Sequence, residues 1–145
     1  MKARIELVLE PLTREDDVAM FEDSCEALVR HNVRWMLAQK ERGLDVPCCA
    51  GCGGVRYVAP SAREYRQGYV QLLGAAELLR AGAGACGSIA CYDVAACRVE
   101  GRDASVVITV QGPRMYHAVV RTPDGIHDPT ANMQATTSCG CEAVA

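Results

Sequence analysis

The chain lacks any long run of basic residues: its 15 Lys and Arg and 18 Asp and Glu are interleaved, and the formal net charge is −3. A protein that follows a phosphate backbone needs a basic stripe, so we expect no nucleic-acid partner. No segment approaches transmembrane length, and Met1 to Pro11 alternates charged and apolar residues where a secretory signal would be continuously apolar. We therefore expect a cytoplasmic protein without a membrane partner.

The sequence also lacks internal repeats, low-complexity stretches and any shift in composition that would mark a linker. Its 145 residues are enough for one sizeable core and too few for two. We therefore expect a single domain over 1–145. Within it we distinguish an N-terminal strand and long helix at 3–43, a cysteine-rich loop at 46–54, a core at about 55–133 and a tail at 134–145.

Periodic patterns alternate along the chain between those of helices and those of strands. They predict a strand near Arg4 to Glu10, a helix from about Arg14 to Arg42, a short strand at Val55 to Ala59, a second helix reaching about Arg80, a third from about Cys86 to Arg98, and strands at Ser105 to Gln111 and Met115 to Arg121. A turn at Thr122 to Gly125 then returns the chain through Ile126 to Asp128. The order indicates an α+β fold, with helices packed on a small, mainly antiparallel sheet.

Cysteine is abundant, with nine residues, but the number is odd and an export signal is missing. In a reducing compartment such cysteines are better explained as metal ligands, one reactive thiol and small buried residues than as a disulfide framework. By this argument Cys25, Cys91 and Cys97, which lie on predicted helices, are packing residues.

Cys86 stands where a glycine-rich loop meets the start of the third helix. The thiolate is the nucleophilic form of cysteine, and a helix N-terminus stabilises an anion, so this position predicts a lowered thiol pKa. The glycines around it allow a substrate to approach the backbone. The alternative is a plain helix start with a small residue on it.

Only three histidines are available as a general base. If 122–125 is a four-residue hairpin loop, Val120 opposes His127 and Val119 opposes Asp128. Asp128 then shares a face with His117 and lies diagonal to it, within reach of the imidazole. The same register turns His127 to the other face, and His31 falls off the apolar stripe of the first helix.

Three short segments carry a family resemblance: Gly84-Ala85-Cys86-Gly87-Ser88, Tyr116-His117-Ala118-Val119-Val120 and Asp128-Pro129-Thr130. They resemble the three motifs of transglutaminase-like cysteine enzymes, a branch of the papain-like fold, over about Val55 to Met133. The chain looks most like short members from tailed-phage gene clusters, whose Val-Arg-Tyr-Val-like strand matches Val55 to Val58. It differs from many relatives in having small residues around the cysteine where they carry acidic ones.

The resemblance implies a cysteine-dependent acyl-transfer enzyme that uses Cys86, His117 and Asp128 as a triad. Its substrate would be a protein or peptide, cleaved or modified at a peptide or side-chain amide bond by a peptidase, deamidase or cross-linking transferase. The alternative is a structural or adaptor protein of a phage-like particle that keeps the fold without turnover, with other virion or assembly proteins as partners. Catalysis would need no cofactor.

The remaining cysteines suggest a structural zinc site. Cys49 and Cys52 form a Cys-x-x-Cys knuckle, and Cys139 and Cys141 in the tail supply two more thiolates for a tetrahedral ion. Cys48 can substitute for Cys49. Disulfides formed after release into oxidising surroundings, or a tail without any ligand, are the alternatives.

Overall fold

The structure is a computed structural model, and it describes residues 13–67, 70–112 and 115–131. The strand predicted near Arg4 to Glu10 and the tail that carries Cys139 and Cys141 lie outside the described residues.

The first helix, α1 (Arg14–Glu41), begins and ends close to the predicted residues. The side chain of Thr13 accepts a hydrogen bond from the backbone N–H of Asp16 and so caps the helix start. Acidic residues occupy the first turn and Lys40 the last, as the helix dipole favours. One stripe of α1 faces the core, and its fully buried residues are Cys25, Val29, Asn32 and Met36.

The predicted strand at Val55 to Ala59 is only two residues long, β1 (Arg56–Tyr57), and the predicted second helix is wrong. It is divided into α2 (Ala62–Gln67) and α3 (Ala75–Ala81). Ser61 and Glu64 form a capping box at the start of α2.

The second helix fails to continue because side chains of other helices bind the backbone before α3. The side-chain oxygen Oδ1 of Asn32 in α1 accepts from the backbone N–H of Ala75 at 2.9 Å. The hydroxyl of Ser88 accepts from the N–H of Leu73 at 2.8 Å. The helix α3 then ends at Gly82, whose φ of 66° is the left-handed conformation that glycine adopts at low cost.

The chain next forms β2 (Ala83–Gly84), which pairs in parallel with β1, and enters α4 (Cys86–Val99). All residues of α4 from Cys86 to Ala96 are buried, so this helix lies at the centre of the core. It packs against α1, and the guanidinium of Arg98 donates to both carboxylate oxygens of Glu26 at 2.7 and 2.9 Å. The paired charges fix the C-terminal end of α4 to α1.

The last part of the fold is a three-stranded antiparallel sheet of β3 (Ser105–Gly112), β4 (Met115–Thr122) and β5 (Gly125–His127), with β4 in the middle. Val106, Ile108, Ala118 and Val120 belong to the core that contains α1 and α4. The register between β4 and β5 pairs Val120 with His127 and Arg121 with Ile126, as predicted. The predicted four-residue loop is wrong, because Thr122 and Gly125 also pair and only 123–124 connect the strands.

The fold is therefore mixed α+β, with helices packed against small sheets. In the three described ranges, none of the helices combines the length and the apolar character that a membrane span requires.

Candidate functional site

The Cys86 thiol lies at an open edge of β4. Ile108 and Ala118 are partners in the antiparallel register, and their backbone N–H groups point away from each other. The N–H of Ile108 donates to a carboxylate oxygen of Glu22 in α1 at 3.1 Å, which covers the outer edge of β3. The N–H of Ala118 points to the other side and donates to Cys86 Sγ at 3.5 Å. The sulfur therefore contacts the backbone of the residue that follows His117.

The edge is open at this point because β5 is short. If the register of β4 and β5 continued, Ala118 would lie opposite Pro129. Proline has no N–H to donate to a ladder, and β5 ends at His127. The Cys86 sulfur, placed by the start of α4, satisfies the Ala118 N–H instead. The Asp128-Pro129 pair thus both ends the strand and leaves space for the thiol.

His117 and Asp128 form the predicted contact. The Nε2 atom of His117 lies 2.6 Å from Oδ2 of Asp128, and the two side chains are 14% and 32% exposed. The other carboxylate oxygen, Oδ1, accepts from the backbone N–H of Thr130 at 2.9 Å and from its hydroxyl at 2.7 Å. Both oxygens of the carboxylate are therefore engaged, and its orientation relative to the imidazole is fixed.

These hydrogen bonds determine the charge state of Asp128. Burial opposes ionisation, but the hydrogen bonds from Thr130 and His117 outweigh it and lower the pKa of Asp128 below its ordinary value. The carboxylate is therefore ionised at neutral pH and can orient one tautomer of the imidazole. Thr130 was not assigned a role from the sequence. Its position two residues after an aspartate is a signal for an Asx turn that would have identified it.

The predicted lowering of the Cys86 pKa is wrong. Cys86 is only 8% exposed, and burial raises the pKa of its thiol above the ordinary value. The backbone N–H groups of Ala118 and Gly87 oppose this effect, while the negative charge of Asp128 adds to it. The favourable position at a helix N-terminus does not compensate for the loss of water, so the thiol is neutral at neutral pH.

The second cysteine-bearing region is the turn that contains Cys48, Cys49 and Cys52, which we call the cysteine turn. Their Sγ atoms all lie within 4.8 Å of one another, close enough for three of them to hold a metal ion. The sulfurs of Cys48 and Cys52 are 3.2 Å apart, and the N–H of Cys52 donates to Cys49 Sγ at 3.3 Å. Cys52 is disulfide-bonded in this structure, whereas Cys48 is exposed and is not. Cys139 and Cys141, the other predicted ligands, lie outside the described residues.

Two side chains in the middle of α4 hold the cysteine turn in place. The hydroxyl of Tyr92 donates to the carbonyl of Pro47 at 2.8 Å, and Asp93 accepts from the N–H of Ala50 at 2.8 Å. Burial raises the pKa of Asp93 to about 7, with the Ala50 N–H opposing the effect. Sequence reasoning missed both residues. The available signal was a tyrosine and an acid inside an otherwise small and apolar helix.

The other cysteines and histidines are placed as expected. Cys25 and Cys91 are fully buried between α1 and α4, and Cys97 is half-buried. His31 and His127 are exposed, and His127 pairs with Val120 one position away from the site.

No protein-family model matches the chain, and searches of curated proteins and of solved structures return no match either. The class that the coordinates define is an α+β protein with helices packed against small sheets. Its function has to be argued from the two cysteine-bearing regions themselves.

Proposed function

We propose that the chain is a cysteine-dependent acyl-transfer enzyme with a papain-like, transglutaminase-like core, acting on peptide or side-chain amide bonds. The observation that carries this proposal is the 2.6 Å contact between His117 Nε2 and Asp128 Oδ2. The next residue of β4, Ala118, donates its backbone N–H to Cys86 Sγ. A carboxylate that orients an imidazole, on a strand whose backbone also contacts a buried thiol, provides the three groups that nucleophilic catalysis needs.

The roles follow from which atoms are already engaged. Asp128 holds Nε2, so Nδ1 is the ring nitrogen left to take the thiol proton. Cys86 would attack the amide carbonyl carbon and form a C–S bond, and the imidazolium would return the proton to the leaving amine as the C–N bond breaks. The resulting thioester is then attacked by water, giving a peptidase or deamidase, or by an amine, giving a cross-linking transferase.

The raised pKa of Cys86 gives His117 a specific task. A neutral thiol is a poor nucleophile, so proton transfer to the imidazole has to accompany the attack. A substrate that covers the site also excludes water, which strengthens the interaction between the developing ions. The backbone N–H of Cys86, in the first turn of α4, is one donor for the developing oxyanion.

A specific observation also supports the non-catalytic alternative. The Cys86 sulfur accepts a backbone hydrogen bond and is nearly excluded from solvent, which suits a packing residue as well as a nucleophile. Under this alternative the chain is a structural or adaptor protein of a phage-like particle, with assembly proteins as partners. It should then assemble normally with Cys86→Ala.

We also propose that the cysteine turn is part of a structural zinc site, with Cys49 and Cys52 as ligands and with Cys139 and Cys141 of the tail as candidates for the remaining positions. The clustering of sulfurs in the turn supports this assignment for the first two residues. The ion would brace the fold and take no part in acyl transfer.

Hydroxylamine trapping tests the enzymatic proposal without knowledge of the substrate. Hydroxylamine attacks any thioester acyl-enzyme and releases a hydroxamate, whether the natural acceptor is water or an amine. The chain is incubated with a mixture of short peptides and hydroxylamine, and products are read by mass spectrometry. We expect hydroxamates with the native chain and none with Cys86→Ala.

The matched control is Cys91→Ala, which removes another buried thiol of the same helix. It should retain the products. Hydroxamates that persist in Cys86→Ala, or that never form with the native chain, would favour the non-catalytic alternative.

A further inference from the structure

We propose that Cys48, Cys49 and Cys52 form a three-thiolate site for a thiophilic divalent cation such as zinc, and that this site exists only while Cys52 is reduced. The proposal does not depend on the acyl-transfer function; it rests on the zinc site proposed above, adds Cys48 to its ligands and makes its occupancy depend on redox state. The Cys52 sulfur would bind the metal in the reduced state and form the disulfide in the oxidised state.

The spacing of the sulfurs fits a tetrahedral metal. A Zn–S bond of about 2.3 Å puts two thiolates of one tetrahedral ion about 3.8 Å apart. The three sulfurs lie within 4.8 Å of one another, with Cys48 and Cys52 at 3.2 Å, so small side-chain rotations are enough to surround an ion. The exposure of Cys48 leaves room for a fourth ligand, either water or a further donor.

The backbone of the turn also fixes the ligand positions. The N–H of Cys52 donates to Cys49 Sγ at 3.3 Å, which holds these two residues in a defined arrangement. The backbone reverses within the turn, where Gly53 donates to the carbonyl of Ala50 at 3.0 Å and Gly54 has a φ of 79°. Ligand positions are therefore set before any ion arrives.

Anchoring to α4 supplies the rigidity that a preformed site requires. Tyr92 holds the carbonyl of Pro47, directly before Cys48, and Asp93 holds the N–H of Ala50, directly after Cys49. Both contacts come from the buried central helix, and Ala50 is itself fully buried. The first two ligands therefore stand on a fixed backbone segment.

The disulfide state excludes the metal state at one atom. Cys52 is disulfide-bonded, and a disulfide sulfur carries no thiolate charge to donate to a cation. When the disulfide forms, two thiols lose two protons and two electrons to an oxidant, and only two ligands remain in the turn. When a phosphine reduces it, phosphorus supplies the two electrons, water supplies the oxygen of the phosphine oxide, and both thiols return.

Cobalt(II) titration of the full chain tests the proposal, because thiolate-bound cobalt absorbs strongly through sulfur-to-metal charge transfer. The reduced chain, prepared with a phosphine, should bind one cobalt ion with a charge-transfer band that zinc then abolishes by displacement. Oxidation with diamide, which takes up the two protons and two electrons as its N=N bond becomes a hydrazine, should remove the band, and phosphine should restore it.

Substitutions identify the ligands. Cys52→Ser should lose the charge-transfer band at one cobalt per chain. Cys48→Ser should lose it too, and because Cys48 is exposed this variant serves as the test if Cys52→Ser fails to fold. Cys97→Ser, which removes a thiol of α4 outside the cluster, is the matched control and should leave the band unchanged. Cys86→Ala should also leave it unchanged, which separates this proposal from the acyl-transfer function.

Three results would overturn the proposal. The first is a reduced chain that does not bind one cobalt ion, and the second is a charge-transfer band that survives oxidation. The third is a band in Cys52→Ser and Cys48→Ser that is as strong as in the native chain. Any of them would show that the sulfurs of the turn are neighbours without forming a redox-dependent site.

Discussion

The two cysteine-bearing regions of this protein are both attached to α4, yet they place their sulfurs in opposite environments. At the helix start, Cys86 is buried against the backbone N–H of Ala118, and burial raises the pKa of its thiol. In the cysteine turn the sulfurs face one another, and Cys48 is exposed. The comparison teaches that surroundings, and not the number or spacing of cysteines, assign the chemistry of each thiol.

The largest expected effect concerns the Cys86 region alone. Replacing His117 by Gln removes the base and should slow hydroxamate formation by on the order of 10²-fold or more. Cobalt binding in the cysteine turn should not change, because the turn contacts α4 through Tyr92 and Asp93. Equal rates of hydroxamate formation in the native chain and His117→Gln would contradict the assignment of acyl-transfer chemistry to the Cys86 region.

Asp128→Asn sharpens the same distinction. The amide still contacts Thr130 and the imidazole, but it lacks the negative charge that stabilises an imidazolium. We expect a loss of about 10²-fold in hydroxamate formation with little change in thermal stability. A variant that retains full activity would assign Asp128 a purely structural role.

A pH effect should arise at the cysteine-turn side of α4. Burial raises the pKa of Asp93 from 3.8 to about 7, so the folded state resists ionisation. Below pH 4 the carboxyl is neutral in both states and no cost arises. As pH rises from about 4 to about 7 the unfolded chain releases the proton first, and stability falls by on the order of 4 kcal/mol. Above that range the cost is constant.

Asp93→Asn tests this effect, since its amide oxygen still accepts from Ala50. The variant should match the native chain near pH 4 and be more stable at pH 8, as measured by urea unfolding at each pH. An identical pH profile in both proteins would show that Asp93 ionises freely when folded.

A smaller loss is expected at Ser88, two residues after Cys86. Ser88→Ala leaves the partly buried N–H of Leu73 without its acceptor and should cost about 1 kcal/mol of unfolding free energy. Thr13→Ala, at the exposed start of α1, should also cost about 1 kcal/mol and affect neither region. If Thr13→Ala changed cobalt binding or hydroxamate formation, the two regions would not be local units.

Local rules predicted much of this structure. Spacing and turn chemistry account for the capping residues, the buried stripe of α1, the start of α4 and the register of β4 with β5. That register alone predicted the contact between His117 and Asp128. These features depend on residues close in sequence or on a single hairpin. Their physical causes are therefore visible in one segment at a time.

The failures have long-range causes. The break before α3 depends on Asn32 and Ser88, whose side chains accept hydrogen bonds from backbone N–H groups at 73–75. Both acceptors are distant from that segment in the sequence. The raised pKa of Cys86 depends on how completely α1, α4 and β4 exclude water, which no local pattern encodes. The anchoring of the cysteine turn by Tyr92 and Asp93 joins residues more than forty positions apart.

The most direct test of the central claim is the rate at which iodoacetamide alkylates Cys86 as a function of pH, in the native chain and in His117→Gln, read by peptide mass spectrometry. If His117 takes the thiol proton, native Cys86 should react at neutral pH faster than buried Cys25 and Cys91. In His117→Gln it should react only as pH approaches the raised pKa of the isolated thiol. Superimposable profiles for the two proteins would contradict the proposed triad.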